Sequence, residues 1–116
     1  MNRSLALLGM AKKAGLLAVG SEAVANAARR GNAKLIISAS DASAASVRRA
    51  KSNAQQGGIR HMIVPFTMFE LGTTAGRGSP GTIAFLDKGL ADGFVKRLTE
   101  MDTKAGTPNA KESDAL

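Results

Sequence analysis

The stretch Gly76-Arg77-Gly78-Ser79-Pro80-Gly81 has the spacing G-x-G-x-x-G, which in a dinucleotide-binding protein cradles a pyrophosphate. That chemistry has a structural requirement. The glycines make a tight turn after a strand, and the phosphates rest on the N-terminus of the helix that follows. Here the flanks run in the opposite order. Thr82 to Leu86 downstream is a β-branched and aromatic run that reads as a strand, and the segment upstream reads as a helix. Pro80 also removes one of the backbone N–H groups such a loop would offer. The motif is therefore read as a flexible, basic surface loop rather than a cofactor site. What that loop faces has to come from the rest of the chain.

Other residues able to do chemistry are few. His61 is the single histidine and falls in an apolar strand, with no carboxylate near it in sequence and no G-x-S-x-G elbow to supply a nucleophile. It reads as a structural histidine. The serines of "SASDASAAS" suit turns and caps, and Asp41 within them ends a strand or caps the helix after it. No cluster of ligands suggests a metal. The absence of cysteine excludes disulfides, thiolate catalysis and cysteine-based zinc sites, and it fits a reducing compartment. An enzyme is hard to assemble from this inventory, and neither metal nor cofactor is expected.

Charge is more informative. Residues 1–60 hold ten Lys or Arg against Glu22 and Asp41, a net +8, whereas residues 61–116 hold six against seven, a net −1. A one-sided basic excess is what binding to a polyanion requires. The only N-terminal apolar run, Leu5 to Ala11, is followed at once by Lys12-Lys13 and lacks a small-residue cleavage site, so no signal peptide is expected. No stretch approaches the length of a membrane span. The expectation is a soluble, cytoplasmic protein without a membrane partner.

These candidates must be positioned by elements that the pattern makes visible. Residues 3–14 read as a helix closed by Lys12, Lys13 and Gly15, and Leu16 to Val19 as a short edge strand. Ser21 reads as the N-cap of "EAVANAARR", with Glu22 at its positive end, Arg29 and Arg30 at its negative end and Gly31 as its stop. Leu35-Ile36-Ile37 is a strand covered on both faces, a helix runs from about Ser43 to Gln56, and His61 to Val64 is the next strand. Thr67 and Glu70 form a capping box, with Phe66 and Leu71 as a hydrophobic staple, for a short helix ending near Gly72. Strand 82–86 leads to a last helix capped by Asp87, with Leu90, Phe94 and Leu98 on one face. This alternation predicts a three-layer α/β/α sandwich with a central mixed sheet in one domain, residues 1–100. The polar, aperiodic stretch at 101–116 reads as a disordered tail.

The aromatic residues select a kind of nucleic acid. Readers of unpaired strands stack bases on exposed aromatic rings. This chain has no Tyr and no Trp, and its four Phe all occupy positions that read as core. Binding through shape, backbone and helix-terminus contacts is expected, which suits a folded RNA.

The stretches "VGSEAVANAARRGNAKLIISASDAS", "GIRHMIVPFTMFELGTTAG" and "IAFLDKGLADGFVKRL" resemble the ribosomal protein L-seven-Ae and L-thirty-e superfamily, and most closely its small bacterial YlxQ-like branch. The resemblance spans residues 4 to about 99, and "RRGNAKLIISASDAS" and "ELGTTAG" carry most of it. It implies an α/β/α sandwich whose better-known members bind kink-turn RNA with the start of the second helix and the loop before the last strand. In this chain those regions are Gly20 to Asn26 and Gly76 to Gly81. Gly20 matches the kink-turn pattern, but Glu22 stands where Asn is expected, Ala23 where Glu is expected, and Asn26 where Lys is expected.

The expected function is noncatalytic binding of structured RNA, ribosomal RNA included. The expected contacts are Gly20, Ser21, Glu22 and Asn26 at the helix start, with Lys12, Lys13, Arg29, Arg30 and Lys34 nearby, and Arg77, Gly78 and Ser79 in the loop. The alternative is a module that docks onto a protein of the translation or transcription machinery.

Overall fold

A computed structural model describes residues 3–76 and 78–104. Within them helices and strands alternate as α1 (Arg3–Lys13), β1 (Leu17–Val19), α2 (Ser21–Arg29), β2 (Leu35–Ser38), α3 (Ala44–Gly57), β3 (His61–Ile63), α4 (Met68–Ala75), β4 (Thr82–Phe85) and α5 (Lys88–Lys104). The helix α5 runs to Lys104, past Asp102 where the sequence turns polar, and residues 105–116 of the expected tail lie outside the described residues.

The strands form one mixed sheet in the order β1-β4-β2-β3. β2 and β3 are parallel, and β4 is antiparallel to both β1 and β2. β1, β2 and β3 therefore share one direction, and each is followed by a helix. As a result α2, α3 and α4 all begin at the end of the sheet where β4 also begins.

Central strands β2 and β4 are buried at every position, because both faces of the sheet are covered. Leu35, Ile37, Ile83 and Phe85 pack with Leu8, Leu71, Phe94 and Leu98 from α1, α4 and α5. Ile36 and Ala84 project to the other face, against Val24, Ala27, Ala28, Ala50 and Ala54 of α2 and α3. The two sides differ in side-chain size. Alanines let α2 and α3 approach each other and the sheet closely, since helix separation is set by the residues at the contact. The three-layer sandwich expected from the alternation is the fold observed.

Helix ends show which local signals held. Ser43 caps α3 by accepting from the Ser46 N–H at 3.1 Å, and Asp87 Oδ2 accepts from the Leu90 N–H at 2.9 Å. The Thr67–Glu70 capping box is complete, with Glu70 N–H to Thr67 Oγ1 at 3.1 Å and Thr67 N–H to Glu70 Oε1 at 2.9 Å. Three expectations need correction. Gly20, not Ser21, is the N-cap of α2, and Ser21 is its first helical residue. The helix α4 continues through a buried Gly72 to Ala75, and Gly76 takes the left-handed φ of 74° that ends it. Finally, Phe69 is not core: it is 73% exposed, while Phe66, Phe85 and Phe94 are buried.

Candidate nucleic-acid interface

Three helix N-termini stand at one end of the sheet, and side chains cap two of them. Besides the caps of α3 and α4 given above, Asp41 Oδ1 accepts from the Met68 N–H at 2.8 Å. Asp41 thus caps α4, 27 residues away, rather than the helix that follows it. α2 differs. Its N-cap residue is a glycine with φ 98° and ψ 156°, and among the described residues no side chain caps it. The first-turn N–H groups of a helix have no intrahelical acceptor and carry partial positive charge. At α2 they stay available to an anionic or acceptor group.

Backbone bonds join this helix start to the glycine loop. The Gly20 N–H donates to the Thr82 carbonyl at 2.9 Å, and the Ala39 N–H donates to the Gly81 carbonyl at 2.9 Å. A Cβ at Gly81 would lie 3.3 Å from Ser46 Oγ and 3.6 Å from Met68 Sδ, so the returning end of the loop is seated between the starts of α3 and α4. At the other end of the loop, a Cβ at Gly76 would lie 3.7 Å from Lys12 Cε and 4.0 Å from Lys12 Nζ. Lys12 therefore flanks the loop, with Lys13 exposed beside it. Gly78 and Ser79 are exposed, and Arg77 lies outside the described residues. The loop leads from a helix C-terminus into a strand, which is the reverse of a pyrophosphate cradle.

A shallow depression connects the two regions. It is lined by Ser21, Val24, Ser46, Arg49, Ala50, Asn53 and Thr82, and Ser46 Oγ lies 3.4 Å from Thr82 Oγ1. Ser46, Arg49 and Asn53 are residues that sequence reasoning missed. Their spacing of three and four places them on one face of α3 beside the buried Ala50 and Ala54. The phase of that buried pair was the available signal.

The expected contact residues do not all gather here. Gly20, Ser21 and exposed Glu22 lie at this end with Gly78, Ser79 and Lys12. Arg29 and Arg30 lie at the far end of α2, about 13 Å away for a helix of nine residues. Lys34, just before β2, belongs to that opposite end too. Asn26 lies between them, and its side-chain oxygen accepts a hydrogen bond from the Arg29 guanidinium, which turns it toward the far end. Among the described residues the ion pairs within 4.0 Å are Arg3–Glu100 and Lys88–Asp92. Among the described residues Lys12 of α1, Arg49 and the other cations of α2 and α3 have no carboxylate within 4.0 Å.

Ser38 and His61 share a hydrogen bond of 2.9 Å. Ser38 is fully buried, so its hydroxyl does not present itself to a substrate, and the pair ties β2 to β3. Burial, and then the charge of Lys51, lower the His61 pKa below its ordinary 6.5. Below that value the unfolded chain binds a proton more readily than the folded one, so stability is lost as pH falls through 6.5. Thermal melts between pH 7.5 and pH 5 are expected to show a larger drop in Tm for the wild-type chain than for His61→Gln. Equal drops would show that His61 does not contribute to acid sensitivity.

No helix among the described residues is long and apolar enough to cross a membrane. Comparisons with known proteins agree with the architecture. The solved structure of a protein with unknown function from Bacillus halodurans C superposes with a TM-score of 0.78 at 25% identity, covering 85% of this chain and 99% of that one. A Giardia lamblia 15.5kD RNA binding protein has the same fold, with a TM-score of 0.65 at 14% identity, covering 85% of this chain and 84% of its own. No curated protein sequence matches. The sequence profile of the ribosomal protein L7Ae/L30e/S12e/Gadd45 family matches residues 3–92, and the chain belongs to that family.

Proposed function

We propose that this chain is a noncatalytic, cytoplasmic RNA-binding protein that uses the open start of α2 and the glycine loop to hold a structured RNA. One observation carries the reading: the Gly20–Thr82 backbone bond brings the uncapped helix start to the loop, beside Arg49 and Lys12, which have no carboxylate partner among the described residues. Helix N–H groups and unpaired cations are what phosphates and base acceptors need. A resemblance to the YlxQ-like branch, one domain over residues 1–100, a polar tail and a place on ribosomal RNA belong to the same proposal. Binding is expected to weaken linearly with salt on logarithmic axes, because each neutralised phosphate releases counterions. Lys12→Ala together with Arg49→Ala should reduce that slope by roughly 1.5 to 2 if each cation meets one phosphate. An unchanged slope would remove both residues from the interface.

Standard kink-turns are proposed to bind poorly. Guanine presents O6 and N7 as acceptors, and the carboxylate of Glu22 at the helix start presents acceptors as well. The triple change Glu22→Asn, Ala23→Glu, Asn26→Lys supplies donors and releases Arg29 from Asn26. It should raise kink-turn affinity about tenfold or more, since one bidentate base contact is worth roughly 1 to 3 kcal/mol. Tight kink-turn binding by the unmodified chain, or no gain in the folded variant, would contradict this.

Phe69 favours a second reading. A phenylalanine 73% exposed at the start of α4, with Ile63 54% exposed on the edge strand, fits docking onto a protein of the translation or transcription machinery. Crosslinking in cells separates the two readings: localised RNA sites support the first, and a catch of protein without RNA supports the second.

A further inference from the structure

The basic residues far from the glycine loop have surroundings of their own. Lys34 immediately precedes β2 and Arg60 immediately precedes β3, so the parallel pairing of Ile36 with His61 makes the two cations neighbours. Backbone bonds fix both positions, from Lys34 N–H to the Phe85 carbonyl at 2.7 Å and from Ile36 N–H to the Arg60 carbonyl at 3.0 Å. Opposite them, α5 presents Lys88, Asp92 and Lys96 at spacings of four, a single stripe of that helix. Two cavities of about 280 and 300 Å³ open between these elements and share Lys34, Arg60 and Asp92. Lys96 lines the first and Lys88 the second.

Four cations here meet one carboxylate, and Asp92 Oδ2 is already held by Lys88 Nζ at 2.8 Å. Among the described residues Lys34, Arg60 and Lys96 have no carboxylate within 4.0 Å. Arg29 and Arg30, exposed at the C-terminus of α2, extend the positive surface at the same end. The length of α2, about 13 Å, separates this end from the glycine loop. That exceeds the Debye length of about 8 Å at physiological ionic strength, so the two basic surfaces act on separate sets of phosphates.

We propose that this cleft is a second phosphate site for RNA backbone, so that one molecule bridges two RNA segments. The proposal rests on the reading of the chain as RNA-binding. Phosphate backbone is recognised by spaced Lys and Arg contacts without a defined base, which is what the Lys34–Arg60 pair and the α5 stripe offer. These cations also offset the negative ends of α2 and α3, a role that would alter stability but not the number of RNAs held.

The test uses the full chain and two RNA stems, each of about 20 base pairs and interrupted by a bulge. One is immobilised sparsely and loaded with protein, and the other, fluorescent, is applied after washing. The expected result is capture of the second stem by the wild-type chain. In the variant Lys34→Gln, Arg60→Gln, Lys96→Gln, capture should fall at least tenfold while loading on the first stem changes less than twofold. Arg60→Glu alone should act in the same direction and guards against a folding defect in the triple variant. Undiminished capture by both variants would mean that two copies joined through the other end do the bridging, and would overturn the proposal. Capture of a polyglutamate peptide in place of the second stem would assign the cleft to an acidic protein and overturn it as well. Failure of the wild-type chain to load on the first stem would instead overturn the RNA-binding reading on which the proposal rests.

Discussion

Gly20→Val is expected to reduce affinity for structured RNA at least tenfold and to lower stability by about 1–3 kcal/mol. With φ 98° and ψ 156°, Gly20 occupies a region open in practice to glycine alone, and forcing another residue there costs on the order of 1–3 kcal/mol. A Cβ at this position meets nothing within 4 Å, so the cost is one of backbone conformation and not of collision. Relief of that strain requires rotation of the backbone that carries the Gly20 N–H to the Thr82 carbonyl. The same rotation re-aims the first turn of α2 away from the loop. Gly31→Val is the matched control. It replaces another glycine of positive φ, 76°, at the far end of the same helix. Gly31→Val should lower the Tm and leave loading at the glycine-loop end within about twofold. If both variants weaken that binding equally, the effect is one of general destabilisation and α2 has no privileged start.

Phe94→Ala should be the most destabilising of these changes, at about 3–5 kcal/mol, as expected for truncating a buried phenylalanine. Phe94 is fully buried, and its ring centroid lies 5.0 Å from that of Phe85 at a tilt of 47°. It joins α5 to central strand β4 in the larger-residue layer of the core. For a domain of roughly 100 residues each kcal/mol moves Tm by about 4–8 °C, so a fall of more than about 12 °C is expected. Ala84→Gly, on the alanine side of the sheet, removes far less volume and should cost much less. A fall of only a few degrees for Phe94→Ala would mean that α1 and α5 close over the cavity.

Local chemistry was the part of the fold most legible in the sequence. The caps at Ser43, Thr67 and Asp87 and the glycine stops at Gly15 and Gly31 all depend on residues within a turn of the helix end, and all are found in the structure. Serine is the better cap by type, but it is the Gly20 carbonyl that accepts the first helical bond of α2, from the Val24 N–H at 3.0 Å, while the Gly20 N–H is held by the Thr82 carbonyl, 62 residues away. Gly72 looked like a stop because glycine is a poor helix former, but burial in α4 overrides that preference. The exposure of Phe69 was readable from helical phase. It lies two residues from buried Leu71, about 200° around the helix and so on the opposite side. The placement of the candidate site residues was legible only in part. Charge counting located the basic half, but the two ends of α2 face opposite ends of the sheet, so Arg29, Arg30 and Lys34 part from Gly20, Ser21 and Glu22.

The most direct measurement of the central claim is a titration of isotope-labelled protein with a bulged RNA stem, read out at each backbone amide. At the first equivalent, the expected result is a set of shifts centred on Gly20, Ser21, Glu22, Gly78, Ser79, Thr82 and Arg49, which weakens as salt is raised. Saturable shifts confined to the α4 surface around Phe69, or none at any RNA concentration, would contradict it.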